Sequence, residues 1–363
     1  MIVVFRFFRM AKIRKLFWMN PVVWAKTHQT RMAKLRNRFV CGETDSYIRV
    51  KILNYTTMER RSFLRNTAGT IAAFGLAGSI KAFASEGKVS NESQFKLKYA
   101  PSFGTFKESA GDDLFDQIKF INDQGFRAIF DNGLMGKEPA LQEKIAAELA
   151  RRGMDLGPFV LYADFGVKSM VTQDPAMKDM LKKKMEEGVE CAKRTGAKWA
   201  LVVPGHYDEG LEWDYQTANV IDNMKMCCEV VEKSGLILVI EPLNAWTNHP
   251  GLFLTKIPQA HLICEEVNHP SCKIVDDLYH QQITEGNLIP NIDKAWKNIA
   301  AFHLGDNPGR NEPTTGEINF KNIFKHIYSK GYDGVLCCEH GRSIKGKEGE
   351  LAFIQAYREV DSF

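Results

Sequence analysis

Residues 236–244 read LILVIEPLN, five apolar positions that end on Glu241 and a proline. A run this short, β-branched and bounded by turn residues reads as a strand buried on both faces, as in a parallel sheet covered by helices. The acid that closes it is the informative residue. The same arrangement returns three times downstream, in CKIVDDLYH (272–280), IAAFHLGD (299–306) and GVLCCEHG (334–341), where Asp277, His303 and Glu339 stand at strand ends. A charge in mid-strand would be a buried penalty, whereas at the C-terminal end it sits at the mouth of a (β/α)8 barrel, where that fold keeps its chemistry. Glu241, Asp277, His303 and Glu339 are therefore expected to hold one divalent cation. Three carboxylates and an imidazole form an oxygen-rich set suited to Mg²⁺ or Mn²⁺, with Co²⁺ and Zn²⁺ also within its reach. Asp276 is the alternative to Asp277, because strand alternation lets only one of the two face the mouth.

Working outward, apolar runs near 95–100, 126–131, 155–160 and 198–203 precede those near 236–241, 273–277, 300–304 and 334–339, and amphipathic stretches separate them. One such stretch, 174–196, starts with Asp174 as N-cap and Pro175 at the first helical position, and closes on Gly196. Gly125, Gly153, Gly196, Gly235 and Gly331 each fall between a helix end and the next strand, as punctuation rather than chemistry. Eight such βα units favour a closed α/β barrel over an open doubly wound sheet, and no G-x-G-x-x-G follows the first strand.

Charge divides the chain into three parts. Residues 1–57 carry 12 Lys and Arg against 2 acids, and residues 58–84 carry 4 against 1. The remaining body, 85–363, has 32 basic and 41 acidic side chains, a formal charge of −9. Such a body has no electrostatic reason to bind nucleic acid. The stretch from Met58 reads MERRSFLRNTAGTIAAFGLAGSIKAFAS and resembles a twin-arginine export signal: Arg60 and Arg61, a mild apolar run over 68–78, then the Ala82-Phe83-Ala84 triplet. Cleavage is expected after Ala84, with engagement of the twin-arginine export machinery and a periplasmic destination. The apolar run is shorter than the roughly 20 residues of a membrane span, so no permanent span is expected. Residues 1–57 are expected to be a disordered or weakly helical over-extension ahead of a true start at Met58, or else a basic arm at a membrane surface. Eight cysteines without a CxxC spacing read as small core residues rather than disulfides.

The segments VIEPLN (239–244), VDDLYHQQ (275–282), HLGDNPGRNEPTTGEINF (303–320) and YDGVLCCE (332–339) resemble the hydroxypyruvate isomerases of the xylose-isomerase-like TIM barrel superfamily. The resemblance covers most of 85–363 and is strongest in its second half. It implies conversion of hydroxypyruvate to tartronate semialdehyde through an enediol, with Glu241 and Glu339 as the acid/base pair and Asp277 as a metal ligand. It further implies that His280 and Arg310 touch substrate. His303 stands where hydroxypyruvate isomerases tend to carry glutamine; histidine there resembles the sugar epimerases and xylose isomerases.

A cation held by these four side chains would leave positions for two adjacent substrate oxygens, a hydroxyl next to a carbonyl. His206, just past the fourth run, is a further substrate-binding candidate. Glu317 reads as ordering its loop, and Trp199 as core. The expected ligand is a small hydroxy-carbonyl compound or a sugar, and homo-oligomerisation is left open. The alternatives are a periplasmic sugar 3-epimerase or keto-sugar isomerase, a phosphodiester-cleaving endonuclease, and a non-catalytic sugar-binding barrel. The acidic body argues against the endonuclease, and the paired glutamates against a mere binder.

Overall fold

Eight apolar runs become nine strand segments in the computed structural model, which describes residues 94–363. The basic extension and the export signal lie outside the described residues. The segments are β1 (Lys98–Ala100), β2 (Ala128–Ile129), β3 (Asp155–Leu156), β4 (Phe159–Tyr162), β5 (Trp199–Val202), β6 (Ile237–Ile240), β7 (Cys272–Asp277), β8 (Ile299–His303) and β9 (Val335–Cys337). The single strand expected over 155–160 is split at Gly157-Pro158, because proline has no N–H to give to the ladder. Gly157 allows a close approach at this point: a Cβ there would lie 2.7 Å from Phe130 Cβ and 2.9 Å from Cys337 Sγ.

Every strand pairing is parallel. β4 to β9 pair in chain order, and β9 returns to pair with β1. β2 pairs with β3, and a parallel bridge between Ser102 and Phe130 joins the ends of β1 and β2. With β3 and β4 counted as one broken strand, this is an eight-stranded (β/α)8 barrel. Helices wrap it, among them Pro139–Arg152, Pro175–Thr195, Trp213–Val231, Ile257–Val267, Phe320–Ser329 and Gly346–Val360. Asp174 caps the helix Pro175–Thr195 by accepting from Ala176 N, and Gly196 ends it in the left-handed conformation at φ 68°. The other four punctuating glycines also take positive φ.

The period of two along each strand then sorts the side chains. Val239, Val275, Ala301, Val335 and Cys337 fill the lumen, in one cluster with Trp199, Leu201 and Phe130. Leu238, Ile240, Ile274, Phe302 and Leu336 point outward and pack under the helices. All seven cysteines of the described residues are buried and free, as small core side chains. No helix among the described residues is long and apolar enough to cross a membrane.

Candidate active site

The lumen register, continued by one step, delivers the site. Glu241 follows Val239 by two positions, Asp277 follows Val275, His303 follows Ala301 and Glu339 follows Cys337, so all four emerge on the inner face at the barrel mouth. Their ligand atoms lie within 4.8 Å of one another. Asp276 is in phase with Ile274 and is buried on the outer side, which leaves the inner position to Asp277.

Local structure fixes each group. Asp277 ends β7 and caps the helix Leu278–Thr284: its Oδ1 accepts from Tyr279 N at 2.8 Å and His280 N at 3.2 Å. Its Oδ2 is thereby turned into the cluster, 3.0 Å from Arg310 Nη2. His303 Nδ1 stands 2.9 Å from Glu241 Oε1 and 3.1 Å from Glu339 Oε2. Glu339 also accepts from Asn132 Nδ2 at 2.6 Å and from Arg310 Nη2 at 2.7 Å. The capping turn carries His280 as well. Its Nδ1 accepts from the Asn244 backbone N–H at 3.3 Å and faces Asn244 Nδ2 at 2.6 Å, so the ring proton resides on Nε2, 3.5 Å from Asp277 Oδ2.

Burial drives the titration of these groups apart. It raises Glu241 to about 7, against the pull of His303. Burial also opposes ionisation of Glu339, yet His303, Arg310 and Asn132 hold its carboxyl well below the usual carboxylate range. For His303 burial works against the charged form, but the Glu339 and Glu241 carboxylates outweigh it and lift the imidazole well above its ordinary value. His280 is pushed down to about 4 by burial and remains a neutral N–H donor.

The donor set fits a divalent cation. Three carboxylates against the single Arg310 guanidinium leave two uncompensated negative charges when His303 is neutral, the complement of a 2+ ion. One imidazole nitrogen among carboxylate oxygens suits Mg²⁺, Mn²⁺, Co²⁺ or Zn²⁺.

The structure does not bring every expected residue here. His206 is excluded from the cavity lining; its Nδ1 donates to Tyr207 O at 2.8 Å and its ring packs beneath Gly251, a loop-bracing role. Arg310 does reach the site, where it pairs with Asp277 and Glu339. Glu317 orders its loop by accepting from Asn307 Nδ2 at 2.7 Å, and Trp199 is core. Conversely, the cavity of about 280 Å³ beside Glu241 is lined by Asn132, Phe165 and His249, which no strand-end pattern marks.

A profile described as Xylose isomerase-like TIM barrel matches residues 118–357. The chain belongs to this family. Among its relatives, the hydroxypyruvate isomerase of Escherichia coli strain K12 is 29% identical over 184 residues, 51% of this chain and 70% of that one. A Xenopus laevis protein named as a candidate for the same activity is 30% identical over 191 residues, 50% of this chain and 68% of its own. The chain is accordingly an enzyme of the isomerase type, in the hydroxypyruvate isomerase group. Two solved structures share the fold: an AP endonuclease, family 2, from Brucella melitensis (TM-score 0.61, 21% identity, 71% of this chain and 98% of that one) and 3-keto-D-glucoside 4-epimerase from E. coli (TM-score 0.60, 18% identity, 74% and 100%).

Proposed function

We propose that this barrel is a metal-dependent isomerase of a small α-hydroxy-carbonyl compound, with hydroxypyruvate to tartronate semialdehyde as the first substrate reading. The observation that carries it is the convergence of Glu241 and Glu339 on His303 from two sides of the mouth, beside a cavity. Glu241, Asp277, His303 and Glu339 would hold the cation, which supplies Lewis-acid polarisation of the hydroxy-carbonyl pair when bound. One glutamate removes a proton from C3 of hydroxypyruvate. The C2 carbonyl oxygen gains a proton, the O3 hydroxyl loses its own, and a proton returns to C2 through the enediolate, completing the isomerisation. Asn132 and Arg310 fix the Glu339 carboxylate, and the neutral His280 Nε2–H is available to a substrate oxygen, as a donor that brings no charge. Val160, Leu201, Val203 and Leu243 give the cavity an apolar wall that limits water.

A keto-sugar 3-epimerase or isomerase is the second reading, supported by His303 in place of glutamine. It is also supported by an adjoining cavity of about 450 Å³, bordered by Ser102, Phe103, Asp131 and His340 and sharing Asn132, Arg310 and Glu339 with the first. The two together exceed what a three-carbon acid requires. We further propose that the enzyme is exported by the twin-arginine route, on the strength of the 58–84 leader.

Proton NMR of the purified protein in D₂O with Mg²⁺ or Mn²⁺ tests the chemistry. Isomerisation of hydroxypyruvate with deuterium uptake is the expected result, and Glu339→Gln should slow it by about 10²–10⁴-fold. Exchange confined to ketohexoses would move the substrate to the second reading. Full activity in Glu339→Gln would remove the mechanism.

A further inference from the structure

His249 belongs to no strand end and takes no part in the cluster, yet its ring lines the cavity beside Glu241. It is held there on two sides, with ring centroids 4.7 Å from Phe165 and 5.3 Å from His280. The loop that presents it is braced by one asparagine. Asn244 Oδ1 accepts from Thr247 N at 3.0 Å, Thr247 Oγ1 at 2.9 Å and Asn248 N at 3.3 Å, and the Asn244 carbonyl accepts from His249 N at 3.0 Å. The same Asn244 side chain fixes the tautomer of His280. Two imidazoles are thus set side by side by a single residue.

Arg310, which the resemblance places at the substrate, is largely committed. Its Nη2 donates to Asp277 Oδ2 and Glu339 Oε2, and its Nε to Glu339 O at 3.1 Å. Burial and the Arg310 charge lower the His249 pKa and keep the ring neutral, with one N–H donor and one acceptor nitrogen. Among the described residues the His249 ring is engaged by ring packing alone, and it lines the cavity.

We propose that His249 is a specificity-determining residue: together with His280 it hydrogen-bonds the substrate group beyond the reacting hydroxy-carbonyl pair, a carboxylate in a hydroxy-keto acid. The assignment rests on the isomerase reading of this cavity. It transfers anion recognition from Arg310, which serves Asp277 and Glu339, to a pair of imidazoles.

The test is calorimetric titration of the Mn²⁺-loaded full chain with tartronate, an unreactive α-hydroxy dicarboxylate, alongside deuterium exchange on hydroxypyruvate. His249→Ala should weaken tartronate by about tenfold or more, the loss expected for one hydrogen bond to a charged group. It should also raise KM for hydroxypyruvate in the same proportion with kcat nearly unchanged. His249→Gln, which keeps an N–H donor, should recover most of the affinity, a rescue that a purely packing role would not give. Unchanged tartronate affinity in a folded His249→Ala protein overturns the proposal while leaving the isomerase reading intact. His249-dependent binding without exchange on any substrate sinks the isomerase reading alone. A wild-type protein that binds no tartronate sinks the His249 assignment, and exchange on ketohexoses then decides the chemistry separately.

Discussion

Glu241 and Glu339 are the same side chain in the same cluster, and their surroundings make them opposites. Glu241 is pushed up to about 7 by burial, whereas Glu339, tied to His303, Arg310 and Asn132, is held well below the usual range. A proton on Glu241 or on His303 occupies the electron pair that a cation needs, so cation binding must release protons. The sign follows directly: below about pH 7 Glu241 is largely protonated and binding is weak, and affinity rises as pH climbs through that value. Titration with Mn²⁺ between pH 5.5 and 8.5, in two buffers of different ionisation enthalpy, should show affinity rising by about tenfold per pH unit for each proton displaced. A flat profile would mean that the pair is not the ligand set. These four residues were legible in the sequence because each closes its own apolar run. Asn132, Phe165 and His249 were not, since loop residues reach a site through tertiary packing that no periodicity encodes. His206 is the reverse case: it follows a strand end, but its ring packs beneath Gly251.

The strands transmit that arrangement, and alternation is the part of them that sequence reveals best. Val275 and Asp277 share the inner face of β7 while Ile274 and Asp276 share the outer, so the period of two settles which aspartate enters the cluster. Asp277 then serves two elements at once, ending a strand and capping the following helix, which aims its second oxygen. What periodicity could not foretell was the break between β3 and β4. The apolar pattern runs through 155–160, but Gly157 and Pro158 interrupt it where three strands crowd together. Gly157→Ala places a methyl group against Phe130, just past β2, and Cys337 on β9. Overpacking of this kind costs about 1–3 kcal/mol, read as a lower midpoint in urea denaturation. Because Cys337 precedes Glu339 by two residues, the same variant should also lose turnover. An unchanged midpoint would show that the neighbouring side chains make room without cost.

On the scale of the whole chain, the barrel and the segment ahead of it carry different kinds of signal. The barrel is specified by repeated apolar runs, and its family match covers 118–357. The proposed leader rests instead on the order of paired arginines, a short apolar stretch and small residues at 82 and 84. Within the barrel three of the four clustered residues, Glu241, Asp277 and His303, are almost wholly buried. The proposed twin-arginine route, which carries folded proteins, would suit a barrel that takes up its cation before export. We therefore expect the exported protein to begin at Ser85, as read by N-terminal sequencing of the extracytoplasmic fraction. Replacing Arg60 and Arg61 with lysine should leave the protein inside the cell at full length, with its barrel folded and its cation affinity unchanged. Export that persists in the double-lysine variant, or a mature N-terminus elsewhere than Ser85, would remove the twin-arginine assignment and leave the chemistry of the barrel untouched.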